Sequence, residues 1–161
     1  MARSLFLFAS LAFAVTCPQR ASAAEPESYD VVVYGATSGG VTAAVQSARL
    51  GRTVVLVEPS QHVGGLTSGG LGTTDIGNKG AIGGMSREFY RRLHAHYQKT
   101  DSWTVQTPDE YWKLRKGGKP QEDTMWTFEP HVAERIYREM LDEAKVPLVF
   151  GERLDLRRGS H

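Results

Sequence analysis

The chain has 161 residues, 40% of them apolar and 23% charged, an ordinary globular composition of about one domain's length that excludes wholesale disorder and a coiled coil. Nineteen Lys and Arg against 18 Asp and Glu give a net charge of +1, which argues against a nucleic-acid binder that tracks phosphate electrostatically. One cysteine, Cys17, excludes an intramolecular disulfide and any paired-thiol redox or zinc motif, and the 17 glycines are the one abnormal number.

In chain order, Arg3 precedes an apolar run over residues 5–15, and Ala21-Ser22-Ala23 then supplies a small-x-small cleavage site. That order is the grammar of a secretory signal peptide over residues 1–23. The run is shorter than the about 20 apolar residues that a bilayer span requires. A buried N-terminal helix is the alternative reading. A lipidated Cys17 is a third, and Ala14-Val15-Thr16 is a poor match for it. No Arg-Arg pair lies near the start, so the expectation is export in the unfolded state, to the periplasm or the extracellular space, with no stable membrane span left after cleavage. Removal of Arg3 and Arg20 leaves 17 basic residues against 18 acidic ones, a net charge of −1, and takes Cys17 with it. Residues 24–28 read as a polar leader.

Residues 29–34 (Tyr-Asp-Val-Val-Val-Tyr) form the β-branched and aromatic run expected of a strand buried on both faces. It stops at Gly35-Ala36-Thr37-Ser38-Gly39-Gly40. Val41, Ala44, Val45 and Ala48 follow at i, i+3, i+4 and i+7, one apolar helical face, and Gly51 ends the helix. Residues 52–58 make a second strand with Glu58 at its end. Strand, glycine turn, helix, strand and terminal acid form a dinucleotide-binding unit. The turn from strand to helix needs a residue that tolerates positive φ, which Gly35 supplies. The unpaired N–H groups and positive dipole end of the helix suit two phosphates. Glu58 can accept hydrogen bonds from both ribose hydroxyls of an adenosine and disfavours a 2′-phosphate. One departure stands out: Thr37 occupies the position of the middle glycine, where its Cβ displaces the pyrophosphate slightly and its hydroxyl can donate to a phosphate oxygen.

After Glu58, nine glycines fall between Gly64 and Gly84. A nicotinamide-type unit would enter another helix soon after the acid. Repeated glycine suggests instead extended backbone laid against a flat ligand. Further on, Met85, Phe89, Leu93 and Tyr97 fall at four-residue steps on an amphipathic helix, with Arg87, Arg91 and Arg92 largely outward. His94 and His96 lie two apart on that helix and point in nearly opposite directions, so no metal site is expected. Residues from about 100 to 128 read as an irregular insertion, capping the substrate side or serving as packed scaffold. Residues 129–145 form a second amphipathic helix, and residues 146–150 a short strand placed where a third parallel strand would return.

Residues 30–75 resemble the N-terminal FAD-binding segment of the FAD-dependent oxidoreductase family of glutathione-reductase-like flavoproteins. The resemblance includes the Gly64-Gly65 doublet at its spacing from Glu58, and it extends through residues 82–93 and 126–150. It implies an α/β fold, a Rossmann-like FAD/NAD(P)-binding domain with a parallel sheet, incomplete in this chain and occupying residues 29–161. It further implies that Gly35, Ala36, Thr37, Ser38, Gly39 and Gly40 hold the FAD pyrophosphate and Glu58 the adenosine ribose. Gly64 and Gly65 would let backbone approach the ribityl phosphate, and Leu66, Thr67 and Ser68 would run toward the isoalloxazine ring. In the family, backbone on the strand at residues 146–150 contacts adenine. His62 lacks the context of a covalent flavin attachment site and reads as an exposed loop residue. Asp75, Arg87 and His94 are polar groups on the flavin side and read as structural. No catalytic residue is assigned.

The leading expectation is therefore the N-terminal FAD-binding portion of an exported oxidoreductase that transfers hydride through flavin to or from a small-molecule or carbohydrate-like substrate. An NAD-dependent dehydrogenase fragment and a secreted Rossmann-like domain without ligand are the alternatives.

Overall fold

The computed structural model describes residues 27–74, 77–113 and 123–157; the expected signal peptide and Asp75 lie outside them. Strand β1 (Val31–Tyr34) leads through a tight turn into helix α1 (Ser38–Arg49), which returns to strand β2 (Val54–Glu58). A long connection with two short 3-10 turns, Gly65–Thr67 and Lys79–Ala81, reaches helix α2 (Gly84–Tyr97). Helix α3 (Pro108–Lys113), helix α4 (Pro130–Glu143) and strand β3 (Leu148–Phe150) follow. The strands form one parallel sheet in the order β1-β2-β3, with Val31 opposite Val54 and Leu56 opposite Leu148.

The sequence dictates these elements locally. Thr37 caps α1 by accepting the Gly40 N–H at 3.1 Å, and Gly51, at φ 80°, releases the chain at its far end. Pro130 occupies the first turn of α4, where its missing N–H has no helical partner to lose. Val132, Ile136, Met140 and the intervening Ala133, Tyr137 and Leu141 give α4 one continuous apolar face, all of it buried. That face and Val41, Ala44 and Val45 of α1 pack in one core with Val54 and Leu56 of β2. Helix α2 joins through Phe89 and Leu93, and the Phe89 ring stacks on Tyr137 with centroids 4.3 Å apart. A chain of ion pairs closes the helical layer: Glu88 of α2 holds Arg49 of α1 at 2.7 Å and Arg92 at 2.8 Å, and Arg92 holds Glu143 of α4 at 2.6 Å.

Strand β1 departs from the expectation of burial on both faces. Val31 and Val33 face the helices, but Val32 and Tyr34 are 63% and 45% exposed on the opposite face. β-branched residues at consecutive positions signal a strand and not what covers it, and among the described residues nothing covers this side of β1. Val55 of the central strand is buried on that face, shielded by its neighbours. Helix α4 ends at Glu143, two residues short of its expected end, and α3 was read as irregular because six residues carry too little of the pattern. Arg92, expected outward, is half-buried between its two carboxylates.

Candidate functional site

The first wall of the site is the β1–α1 turn. The Gly35 N–H continues the sheet by donating to Val57 O at 2.7 Å. Gly40 is required by contact: a Cβ there would lie 1.9 Å from the Gly35 carbonyl oxygen, so only glycine lets the first turn of α1 press against the strand end. Of the first four N–H groups of α1, those of Gly40 and Val41 go to Oγ1 and O of Thr37. Those of Ser38 and Gly39 have no partner among the described residues. Two orphan donors at the positive end of a 12-residue helix make a receptor for an anion. Thr37 therefore acts first as a cap. Its oxygen accepts from the helix, which leaves its hydroxyl hydrogen to donate elsewhere.

Glu58 forms the second wall. Oε2 accepts the Ala36 N–H at 2.6 Å and Oε1 the Ser60 N–H at 2.8 Å. Burial works against its charge, but the Ser60 N–H and hydroxyl, the Ala36 N–H and the Arg153 charge together outweigh burial and hold the carboxyl below the usual carboxylate range. The acid at the end of β2 is thus ionised and tied to the turn that carries the orphan donors. Each oxygen keeps a lone pair for a further donor.

The third wall is the second glycine loop. Gly64, at φ 109°, donates to Ala36 O at 2.6 Å, and a Cβ on it would strike the Tyr137 ring at 2.8 Å. Gly65 lies against Thr37, so the two glycine turns, about thirty residues apart in sequence, form one surface. Thr67 lies on this surface beside Tyr137, whereas Leu66 is 75% exposed. Ser68 is turned back, its hydroxyl donating to Val63 O at 2.5 Å.

Sequence reasoning missed the contribution of α4. Glu134 Oε1 accepts the Val63 N–H at 3.3 Å and Arg138 at 2.7 Å, which fastens the loop before the glycine doublet to the helix. Burial opposes the Glu134 charge, and Arg138, His62 and the Val63 N–H together hold its carboxyl below the usual range. Tyr137 sits beneath Gly64, its phenol pushed up to about 12 by burial. The only sequence signal was an acid and a tyrosine on an otherwise apolar helix stripe, which does not say what they touch. A cavity of about 590 Å³ opens beside this surface, lined by Ser38, Thr42, Thr67, Met85, Tyr90 and Tyr137 among others, with no charged side chain.

The remaining polar candidates sit elsewhere in the packing. Arg87 pairs with Asp123 at 3.0 Å, and His94 faces Gln98 at 3.0 Å one turn on. His62 has an 80% exposed side chain, with Nδ1 3.3 Å from Glu134. Among the described residues, no group of three His, Cys, Asp or Glu is placed to hold a metal ion, and no helix is long and apolar enough to cross a membrane.

Residues 30–157 match the family described as FAD dependent oxidoreductase. The chain belongs to that family. FAD is accordingly the cofactor of its fold, and flavin-based redox chemistry is the family's function. Among solved structures, the flavoprotein chain resembles thioredoxin reductase from Streptococcus pyogenes MGAS5005, at 19% identity and a TM-score of 0.38 over 77% of this chain and 25% of that one. It also resembles the 3-ketosteroid-delta4-(5alpha)-dehydrogenase from Rhodococcus jostii RHA1, at 17% identity and a TM-score of 0.43 over 78% of this chain and 38% of that one. A flavocytochrome c3 fumarate reductase aligns at 19% identity and a TM-score of 0.42 over 81% of this chain and 28% of that one. The chain thus spans well under half the length of each. Among curated proteins, none matches it in sequence.

The geometry fits FAD. The two orphan N–H groups suit a diphosphate, the ionised Glu58 suits a ribose diol, and the glycine contacts leave no room for side chains between the two loops. The neutral cavity beyond Thr67 suits an uncharged ring system.

Proposed function

We propose that this chain is the FAD-binding portion of an exported FAD-dependent oxidoreductase. In this reading residues 35–40 hold the pyrophosphate through the Ser38 and Gly39 N–H groups, and Glu58 accepts from the adenosine ribose. Gly64 and Gly65 admit the ribityl phosphate, and residues 66–68 lead to the cavity for the ring. FAD, when bound, supplies the hydride chemistry; the chain binds, orients and shields it. The observation that carries the reading is the joint anchoring of the two glycine turns and Glu58, because Ala36 ties to all three: its N–H to Glu58 and its carbonyl to Gly64.

Export rests on the N-terminal pattern of residues 1–23, which directs translocation before folding and so places FAD loading outside the cytoplasm. The test is expression with the native N-terminus, followed by mass determination and absorbance of the exported fraction. The expected product begins at Ala24, carries the yellow absorbance of oxidised flavin after gel filtration in FAD, and retains it against excess NAD. Protein kept inside the cell with its full N-terminus overturns the export reading. Exported protein that takes up no flavin overturns the cofactor reading.

A further inference from the structure

A second cavity, of about 230 Å³, lies at the other end of α2 from the site above, between Tyr97, Trp103, Tyr111, Phe128 and Glu129. Met85 borders the first cavity and Tyr97 the second, which at helical rise puts them about 18 Å apart. Nothing in the flavin reading uses it.

Its rings are angled and not stacked. Tyr97 and Trp103 have centroids 5.2 Å apart with planes at 57°, and Trp103 and Tyr111 lie 5.1 Å apart at 65°. The Phe89–Tyr137 pair of the core, by contrast, lies nearly parallel at 7° and each ring covers the other's face. Rings at such angles do not cover one another's faces as a parallel pair does, and the negative π face of an aromatic ring attracts cations. The Trp103 N–H donates to Tyr97 O at 2.9 Å, which fixes that wall.

Glu129 is the charged residue of the lining. It immediately precedes α4, and its side chain makes no capping bond to that helix. It turns instead to Tyr97, accepting the hydroxyl hydrogen at Oε2 over 2.9 Å, while the same hydroxyl accepts the Glu129 N–H at 3.0 Å. Among the described residues Glu129 forms no ion pair. Burial and the Arg135 charge hold the neighbouring His96 below its ordinary range, so His96 supplies no proton to balance it at neutral pH. Among the described residues, then, this carboxylate beside aromatic rings has no cationic partner and can receive one.

We infer that this cavity binds a small organic cation, an alkylated ammonium group seated against Trp103 and neutralised by Glu129. The site is independent of the cofactor. It is tested by calorimetric titration of the full chain with choline and with the uncharged isostere of choline, in which carbon replaces the quaternary nitrogen. Choline is expected to bind saturably and the isostere at least about tenfold more weakly, the discrimination that a desolvated cation–π contact and one charge pair supply. Glu129→Gln, which keeps an acceptor for the Tyr97 hydroxyl and leaves the aromatic walls in place, is expected to cut that preference severalfold while leaving the far-ultraviolet circular dichroism unchanged. Equal affinity for the two probes, no saturable choline binding to the wild-type chain, or a preference undiminished in E129Q would each overturn the inference. The wild-type comparison decides it even where E129Q fails to fold.

Discussion

Glu58 does two jobs with one carboxylate. Before any ligand arrives it accepts the Ala36 and Ser60 N–H groups, so the acid that clasps a ribose is also the clamp that sets the phosphate turn. Replacing it with alanine strips the buried Ala36 N–H of its acceptor, while the exposed Ser60 N–H turns to water, and an unsatisfied buried donor costs about 1–3 kcal/mol. Glu58→Ala is therefore expected to lower unfolding free energy by about that amount in urea, measured without flavin, and Glu58→Gln to lower it less. A variant as stable as the parent would show that the clamp carries no weight. The sequence made Glu58 legible as a ribose acceptor, because an acid at that distance past a glycine turn is a strong spacing signal. Its bond to Ala36 was not legible, since a side chain reaching back to the first turn depends on the twist of β2 against β1. The same holds for Thr37. Read as an intruder at a glycine position, it is the cap of α1 and the surface on which Gly65 rests.

Periodicity found α1, α2 and α4 because each runs 12 to 14 residues with an apolar face. It could not find what joins them. The Arg49–Glu88–Arg92–Glu143 chain links three helices through residues that look like ordinary solvated charges in sequence. The Arg49 guanidinium, against the cost of burial and with help from Arg92, holds the Glu88 carboxyl at about 2, down from 4.5. A carboxylate whose folded pKa is depressed adds stability that is full above its unfolded pKa and is lost as pH falls through the folded one. The parent chain is therefore expected to lose more stability than Glu88→Gln between about pH 5 and pH 2, followed as melting temperature against pH. Parallel curves for the two chains would show that Glu88 titrates alike folded and unfolded. Helix α4 carries a comparable hidden role at Glu134 and Tyr137, which seat the glycine doublet. A stripe pattern reports which face is buried and stays silent about what that face holds in place.

At the scale of the whole molecule, one face of the sheet is dressed with helices and the other shows Val32, Tyr34 and Val149 to solvent. Parallel sheets are ordinarily covered on both faces. The α/β class and the parallel order were legible from strand, turn, helix and acid, because each step of that unit is local, and FAD was legible from the second glycine run and the family resemblance. The open face was not, since burial is decided by segments far away in sequence or in space. What unites the molecule is the claim that the first turn of α1 and Glu58 grip the diphosphate and sugar of a dinucleotide. Calorimetry with FAD and with FMN, which lacks the adenosine and the second phosphate, tests this claim most directly. The account predicts saturable heat with FAD and binding of FMN weaker by at least about a hundredfold, the loss of two charge-assisted contacts. Equal affinity for the two flavins, or no heat with FAD, would contradict it.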